Sequence, residues 1–225
     1  MLSYVLFDLD GTLSDSAPGI LTSLRHAFAE NGVPPLDADT ERTLLGPPFY
    51  TSLPPYLPEG VELWDVINSY RAHYRAGAMY NTTAYAGIGD ALDAVRAAGL
   101  TMAVATSKPE AQAVPIVERL GFADHFVTVG GDLDYGSRGT KALVVQEVLR
   151  RLGDPAPDTV LMVGDREHDV LGARACGVET IGAGWGYGGP GELEAAGARA
   201  ICAAPRELPA ALGIEAIGSL GAAAS

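Results

Sequence analysis

The sequence predicts an α/β fold, with a doubly wound parallel sheet as its core and a smaller helical domain inserted into that core. First, the apolar run 4–7 ends directly in two carboxylates and a glycine, which is typical of a buried parallel strand that stops at a turn. Second, short apolar runs alternate with helical spacing after residue 84, as in a parallel sheet with crossover helices. Third, residues 16–83 show helical spacing and proline-rich connections but no strand pattern.

The first predicted strand is followed by Asp8, Asp10 and Gly11. In an open α/β sheet the carboxyl end of such a strand faces the ligand crevice, and glycine permits a turn and the close approach of a ligand. Two carboxylates this close repel each other, and a hard cation such as Mg²⁺ relieves the repulsion through oxygen ligands. Taken alone, the pattern is equally compatible with a polar turn after a strand.

The inserted segment contains three predicted helices. The first follows Ser16, a possible N-cap, and ends at Gly32. A second short helix is predicted over 37–45, and a third ends near Gly77 with one face formed by Trp64, Ile67, Tyr70, Arg71 and Tyr74. Aromatic residues at this spacing indicate core packing rather than a substrate platform. We therefore assign residues 15–83 to a cap domain and residues 1–14 and 84–225 to the α/β core.

Two later strands also end in polar residues. The strand predicted over 101–105 leads into Thr106, Ser107 and Lys108, and further strands are predicted at 126–129 and 178–181. The strand predicted over 159–163 leads into an acidic stretch that includes Asp165 and Asp169.

Because parallel strands align their carboxyl ends, the polar residues that follow these strands should converge. Lys141, near the start of the helix predicted over 139–152, supplies a positive charge to the same place. The group then contains a carboxylate nucleophile candidate, a second carboxylate, hydroxyl donors, a cation and an acidic metal patch. These are the parts that phosphoryl transfer requires.

Four motifs in order carry a resemblance over nearly the whole chain. They are Phe7-Asp8-Leu9-Asp10-Gly11-Thr12-Leu13, Ala105-Thr106-Ser107-Lys108-Pro109, Gly139-Thr140-Lys141 and Val163-Gly164-Asp165-Arg166-Glu167-His168-Asp169. Together they resemble the haloacid dehalogenase superfamily phosphatases, in the branch with a helical cap, near the phosphoglycolate phosphatases. The resemblance implies a Rossmann-like core with an inserted cap.

The resemblance also implies roles for the residues of these motifs. Asp8 attacks phosphorus and forms an aspartyl-phosphate, while Asp10 protonates the leaving oxygen and then deprotonates the hydrolytic water. Thr106 and Lys141 hold the phosphoryl oxygens, and Ser107 is assigned to the same phosphate-binding group. Whether Ser107 and Lys108 act directly in the site stays open.

The metal site implied by the resemblance is a Mg²⁺ site. Its ligands are Asp8, Asp10 through its backbone carbonyl, Asp165 and Asp169, the last bonded directly or through water. For Asp169 the alternative is a first-turn acid that interacts favourably with the helix dipole.

The cap offers candidates for substrate recognition. The loop that contains Gly46 and Pro47 resembles the family's substrate-facing cap segment. Arg25, Arg42 and Arg71 are candidates to bind a second anionic group such as a carboxylate. The alternative for each arginine is a solvated helix face.

Composition excludes several classes of function. The 225 residues carry a formal net charge of −13, so no basic footprint for nucleic acid or an anionic membrane is present. No stretch approaches the ~18 apolar residues of a membrane span, and no signal peptide is visible. The two cysteines, Cys176 and Cys202, indicate neither a disulfide framework nor a metal site. We expect a cytoplasmic protein that is a monomer or a homodimer.

The function predicted from the sequence is a Mg²⁺-dependent phosphatase that hydrolyses a small phosphorylated metabolite through an aspartyl-phosphate. A 5'-nucleotidase and a sugar phosphomutase of the same superfamily are the nearer alternatives. A phosphomutase would keep the phosphoryl group and return it to the sugar. The distant alternative is a non-catalytic phospho-binding module.

Overall fold

The central feature of the fold is a parallel sheet. The computed structural model describes residues 1–133 and 137–214. Their strands are, in chain order, β1 (Tyr4–Phe7), β2 (Ser14–Asp15), β3 (Thr83–Ala84), β4 (Thr101–Pro109), β5 (Phe126–Asp132), β6 (Val160–Gly164), β7 (Glu179–Ala183) and β8 (Ala200–Cys202). Within the described residues, six strands form one sheet in the order β5-β4-β1-β6-β7-β8, with every neighbouring pair parallel. The predicted doubly wound parallel sheet is confirmed.

Helices cover both faces of this sheet. The described helices are α1 (Ala17–Glu30), α2 (Ala38–Thr43), α3 (Phe49–Ser52), α4 (Leu63–Arg75), α5 (Ile88–Ala97), α6 (Glu110–Arg119), α7 (Lys141–Arg151), α8 (Glu167–Ala175), α9 (Glu192–Ala196) and α10 (Leu208–Ala211). Val5 and Phe7 pack with α5 and α6 on one face, whereas Leu6 packs with α7 on the other. Side chains alternate along a strand, so a strand buried on both faces is apolar throughout. None of the described helices combines the length and apolar character that crossing a membrane requires.

The register of the central strand sets where the polar residues gather. Phe7, the last residue of β1, pairs with Val104 in β4 and with Val163 in β6. The next residue, Asp8, donates its backbone N–H to the Val163 carbonyl at 2.9 Å. The polar residues that follow these paired positions therefore lie at one edge of the sheet, the carboxyl edge.

Strand β4 is longer than the sequence indicates. We predict its end at residue 105, but it continues to Pro109, which pairs with Asp132 of β5 after an irregularity in the register. The prediction is wrong at this boundary because a Thr-Ser-Lys-Pro stretch is typical of a turn, and the pairing partner that keeps it extended lies far away in sequence. Thr106 and Lys108 are consequently held on a strand rather than on a free loop.

The chain between β2 and β3, called the insert below, is helical. Its helices α1 and α4 bury a separate apolar cluster formed by Leu24, Ala27, Phe28, Val33, Leu44, Leu53, Val66 and Ile67. Its two ends run side by side, because Ser14 pairs with Ala84 and Asp15 pairs with Thr83 in an antiparallel ladder. The division into a core of residues 1–14 and 84–225 and a cap of residues 15–83 stays a proposal, and residues 134–136 and 215–225 lie outside the described residues.

The start of α1 is capped from outside the insert. Ser16 occupies the predicted N-cap position, but its side chain makes no capping hydrogen bond. Instead the hydroxyl oxygen of Tyr187 accepts from the backbone N–H groups of Ser16 at 2.7 Å and Ala17 at 2.9 Å. The same hydroxyl lies 2.9 Å from Asp15 Oδ1 and donates to it. A residue after β7 thus satisfies the free N–H groups that begin a helix.

Candidate active site

Lys141 joins two of the predicted site carboxylates. It is the first residue of α7, and the preceding Thr140 caps that helix by accepting the Leu143 N–H. Its Nζ lies 2.7 Å from Asp8 Oδ1 and 2.6 Å from Asp169 Oδ1. Burial by itself would lower the pKa of Lys141, but the Asp169 and Asp8 carboxylates outweigh burial and raise that pKa above its ordinary value. The buried ammonium is therefore charged and paired.

Asp165 is fully buried beside this pair. Thr12 Oγ1 donates to its Oδ1 at 3.1 Å, and the Tyr187 N–H donates to its Oδ2 at 2.8 Å. Two glycines make room for it: a Cβ at Gly11, whose φ is +85°, would lie 2.1 Å from Asp165 Oδ2, and one at Gly186 would lie 2.3 Å from Asp165 Cβ. Burial, followed by the charges of nearby carboxylates, raises the pKa of Asp165 well above its ordinary value.

Three carboxylates form a group that could hold a metal ion. Asp8, Asp165 and Asp169 are buried, and one carboxylate oxygen from each lies within 4.8 Å of the others. Asp169 also accepts the Arg166 N–H at 3.0 Å, so its position is set by the start of α8. Burial raises the pKa of Asp169, while Lys141 opposes this shift. Hard oxygen ligands packed this closely fit a divalent cation such as Mg²⁺, which would offset their mutual repulsion.

Asp10 has a different partner. Its side chain is absent from this group of three and pairs instead with Lys108, whose Nζ lies 2.8 Å from Asp10 Oδ2. The same Nζ donates to Tyr74 Oη at 2.8 Å, and Tyr74 belongs to α4 in the insert. Burial alone would lower the pKa of Lys108, but Asp10 and the neighbouring tyrosines outweigh burial and raise it. Tyr74, predicted as core packing, is buried and also bonded to the site.

A cavity of about 150 Å³ lies between the site and the insert. From the core side its walls include Asp8, Asp10, Thr106, Ser107, Lys108, Gln112, Asp132, Lys141, Arg166, His168 and Asp169. From the insert they include Gly46, Pro47, Pro48, Phe49, Tyr50, Ile67, Tyr70 and Arg71. Phe49 contacts the Tyr70 ring edge-on at 4.6 Å, and Tyr70 stacks on Tyr74 at 5.4 Å. The insert thus gives the cavity a largely apolar, aromatic wall.

The predicted arginines lie in different places. Arg71 borders the cavity, with its guanidinium 5.8 Å from the centre of the Trp64 ring. Arg25 does not border it, because its guanidinium binds Glu41 through two contacts of 2.8 and 2.5 Å and its side chain is 59% exposed. Arg42 is exposed and lies outside the cavity as well.

A family profile described as haloacid dehalogenase-like hydrolase matches residues 5–183. The chain belongs to this family. The matched region contains all four motifs, so the resemblance inferred from the sequence is confirmed at the level of the family.

Relatives carry several different names. Tyrosine-protein kinase PtkA of Mycobacterium tuberculosis is 44% identical over 185 residues, which cover 82% of this chain and 62% of that protein. The chain therefore spans less than two thirds of this relative. A 5'-nucleotidase of Pseudomonas aeruginosa is 38% identical, covering 85% of this chain and 86% of the relative. A phosphoglycolate phosphatase of Agrobacterium fabrum is 33% identical, covering 81% and 80%.

Solved structures in the family share the fold. A structure described as a predicted phosphatase from Clostridium acetobutylicum has a TM-score of 0.88 at 34% identity, covering 94% of this chain and 98% of that chain. The solved structure of PtkA from Mycobacterium tuberculosis has a TM-score of 0.81 at 40% identity, with the same two coverages of 94% and 98%. With 94% of this chain matched in each case, most of the sheet and most of the insert are included.

One member of the haloacid dehalogenase-like motifs has a contact that sequence analysis missed. Arg166, at the N-cap of α8, donates to the Leu45 carbonyl in the insert, and its Nε lies 2.7 Å from Glu192 Oε1. Gly46, whose φ is +107°, lies against it, since a Cβ there would be 2.9 Å from Arg166 Nη1. Because Arg166 belongs to the fourth motif, the sequence indicates that it lies near the site. The sequence around Arg166 does not indicate that it binds Leu45, which is 121 residues away.

Proposed function

We propose that this chain is a Mg²⁺-dependent phosphatase that hydrolyses a small phosphorylated metabolite through an aspartyl-phosphate on Asp8. The observation that carries the proposal is the buried Asp8 carboxylate, which lies beside the Lys141 ammonium and within the group of three acids. A carboxylate attacking a phosphate dianion needs its own charge shielded, and a cation at this group would supply that shielding. Asp8, Asp165 and Asp169 would hold it, with the Asp10 carbonyl as a further proposed ligand.

The proposed chemistry uses the chain's own groups in two steps. In the first, Asp8 forms a bond to phosphorus as the bond from phosphorus to the leaving oxygen breaks, and Asp10 gives that oxygen a proton. In the second, Asp10 takes a proton from water as the water oxygen attacks phosphorus and releases Asp8. Lys141, Thr106 and Ser107 border the cavity and would hold the phosphoryl oxygens during both steps.

For the substrate, the cavity supports two candidates. A phosphoglycolate-like substrate carries a second anion that Arg71 at the cavity wall would bind. A 5'-nucleotide would place its planar base against the wall formed by Pro47, Phe49 and Tyr70. The relatives named phosphoglycolate phosphatase and 5'-nucleotidase motivate both.

Transfer to an acceptor other than water forms a separate class of alternatives. A sugar phosphomutase would return the phosphoryl group to its substrate, and the relative named a tyrosine-protein kinase motivates a test of ATP with a tyrosine peptide. A non-catalytic phospho-binding module would bind phosphate esters without turning them over.

Two free cysteines support a reducing compartment, and we retain the cytoplasm as the proposed location.

The deciding experiment is a screen of phosphate release from phosphoglycolate, 5'-nucleotides, sugar phosphates and 4-nitrophenyl phosphate. Each is assayed with Mg²⁺ and with excess chelator, and a parallel arm follows transfer from ATP to a tyrosine peptide. Inorganic phosphate released only in Mg²⁺ supports the phosphatase. Full activity in chelator removes the metal from the proposal, and phosphoryl transfer to sugar or peptide without phosphate release replaces hydrolysis with that activity. Binding without any turnover supports the non-catalytic module.

A further inference from the structure

We propose that Lys108 and Tyr74 are positioning residues for Asp10. Lys108 holds one oxygen of the Asp10 carboxylate so that the other is presented to the reacting oxygen, and Tyr74 holds Lys108 while the insert covers the core. This inference rests on the proposed phosphatase function and on the role of Asp10 as the acid and base in it.

The contacts of Lys108 leave its position little freedom. Its Nζ lies 2.8 Å from Asp10 Oδ2, 2.8 Å from Tyr74 Oη and 4.7 Å from the centre of the Tyr74 ring. The Lys108 side chain is 5% exposed, and a buried ammonium persists only where it is paired and hydrogen-bonded. The chain has thirteen arginines but only two lysines, and each lysine pairs with one of the two carboxylates of the first motif. A lysine ammonium is compact enough to serve as a single fixed donor in this space.

The two oxygens of Asp10 have different surroundings. Oδ2 is held by Lys108, whereas Oδ1 is buried and has no hydrogen-bond partner among the described residues. Asp10 borders the cavity. A buried polar atom without a partner is costly, and at a catalytic position it indicates an atom kept for a reactant. With Oδ2 held, the carboxylate cannot rotate freely, and Oδ1 is left for proton transfer.

Tyr74 connects this arrangement to the insert. It lies in the last turn of α4 and is 1% exposed, and its ring stacks on Tyr70 one turn earlier. The ring edge of Tyr70 in turn is packed by Phe49 at the cavity wall. Movement of α4 away from the core would therefore remove the Tyr74 hydroxyl from Lys108 and expose the Lys108–Asp10 pair to water. Asp10 is thus fully oriented only when the insert covers the cavity.

A different role for Lys108 predicts a different kinetic result. If its ammonium bound an anionic group of the substrate, its loss would raise KM for substrates with a second anion and leave others unchanged. If it positions Asp10, its loss should slow substrates whose leaving oxygen needs a proton, with little change in KM. An alkyl phosphate needs that proton, whereas 4-nitrophenyl phosphate does not, because its leaving group is a stable anion.

The test measures KM and kcat/KM, which covers the steps up to phosphoenzyme formation, for Tyr74→Phe, Lys108→Met and the control Tyr56→Phe. Tyr56 is a partly buried tyrosine of the insert that packs in its apolar cluster and does not border the cavity. Substrates are 4-nitrophenyl phosphate and whichever alkyl phosphate the wild type hydrolyses fastest. On the alkyl phosphate we expect kcat/KM to fall about 10- to 100-fold in Lys108→Met and about 3- to 10-fold in Tyr74→Phe, within the range of general acid catalysis. On 4-nitrophenyl phosphate we expect much smaller losses in the formation of the phosphoenzyme.

The same variants in an Asp10→Asn background complete the test. If Lys108 and Tyr74 act through Asp10, removing them there should cause no further loss, since effects through one shared group are not additive. Equal losses of kcat/KM on both substrates, a change confined to KM, or losses that add to that of Asp10→Asn would overturn the inference while leaving the phosphatase intact. A wild type that releases no phosphate from any substrate overturns the proposed function and the inference with it. Tyr74→Phe removes one oxygen atom and keeps the ring, so it decides the question even if Lys108→Met fails to fold.

Discussion

Arg166, at the N-cap of α8, donates a hydrogen bond to the backbone carbonyl of Leu45 in the insert. The Arg166 guanidinium also forms an ion pair with Glu192, whose Oε1 lies 2.7 Å from Arg166 Nε. Glu192 Oε1 also accepts the Glu167 N–H at 2.9 Å, so the acceptor is itself fixed. The carbonyl belongs to the residue before Gly46, and Gly46 borders the cavity. Arg166 therefore connects the carboxyl edge of the sheet to the loop of the insert that borders the cavity.

We expect Arg166→Gln to raise KM about 3- to 10-fold with a smaller effect on kcat, because the loop that carries Gly46 loses its anchor to the core. The matched control is Arg174→Gln on the same helix, whose guanidinium donates at 3.0 Å to the Ala196 carbonyl and does not contact the insert. Steady-state kinetics of both variants measure the effect. An unchanged KM in Arg166→Gln would show that the loop is held by its other contacts, such as the bond from Tyr50 to Gly139.

Asp8→Asn should lower kcat by about three orders of magnitude or more, because an amide cannot form the phosphoenzyme. Its free energy of unfolding without metal should change little, since the relief of repulsion among three buried carboxylates is offset by the loss of one charge opposite Lys141. Single-turnover assays and thermal unfolding measure the two effects. Turnover near that of the wild type in this variant would remove Asp8 from the role of nucleophile.

The metal-free protein should lose stability as pH rises, through Asp165. Burial, with Asp169 and Asp8, raises the pKa of this carboxyl well above its ordinary value of 3.8. The folded state then binds the proton more tightly than the unfolded state, so the free energy of unfolding falls as pH rises from the ordinary value to the raised one. The loss is about 1.4 kcal/mol for each unit of pKa shift.

Asp165→Asn removes this titration. The amide oxygen can still accept the Tyr187 N–H and the amide NH2 can donate to the Thr12 hydroxyl, so any cost of this exchange does not depend on pH. In chelator, the stability of the variant relative to the wild type should therefore increase as pH rises from about 4 to about 7. Urea unfolding of both proteins across this range measures it. If the free energies of unfolding of the two proteins change in parallel with pH, the raised pKa of Asp165 is contradicted. In a separate measurement, Mg²⁺ should stabilise the wild type more than the variant.

Tyr187→Phe should destabilise the beginning of α1. The hydroxyl is the acceptor for the Ser16 and Ala17 N–H groups and the donor to Asp15. Its loss leaves partly buried groups without partners and should lower the free energy of unfolding by about 1–3 kcal/mol. Hydrogen exchange should be faster at the first turn of α1. Tyr4→Phe, at the start of β1, is the control and should change neither measurement.

Several features of this protein follow from local sequence. The sequence predicts that Asp8, Thr106, Lys141, Asp165 and Asp169 lie together. This follows from the apolar run before Asp8 and the alternation of strands and helices, because parallel strands align their carboxyl ends. Each of these residues lies at or near the predicted end of a strand or the start of a helix whose period is visible in the sequence, and a parallel sheet brings such positions to one edge. The helical character of the insert was visible for the same reason.

Other features were decided only by tertiary structure. Three sets of contacts join residues on different elements. Lys108 binds Asp10 and Tyr74, Arg166 binds the Leu45 carbonyl, and Arg25 binds Glu41. The continuation of β4 to Pro109 depends on a partner strand, and the cap of α1 comes from Tyr187 rather than Ser16. Sequence periodicity reports which face of an element is buried. It carries no information about which distant side chain meets that face, because that depends on how the insert packs over the edge of the sheet.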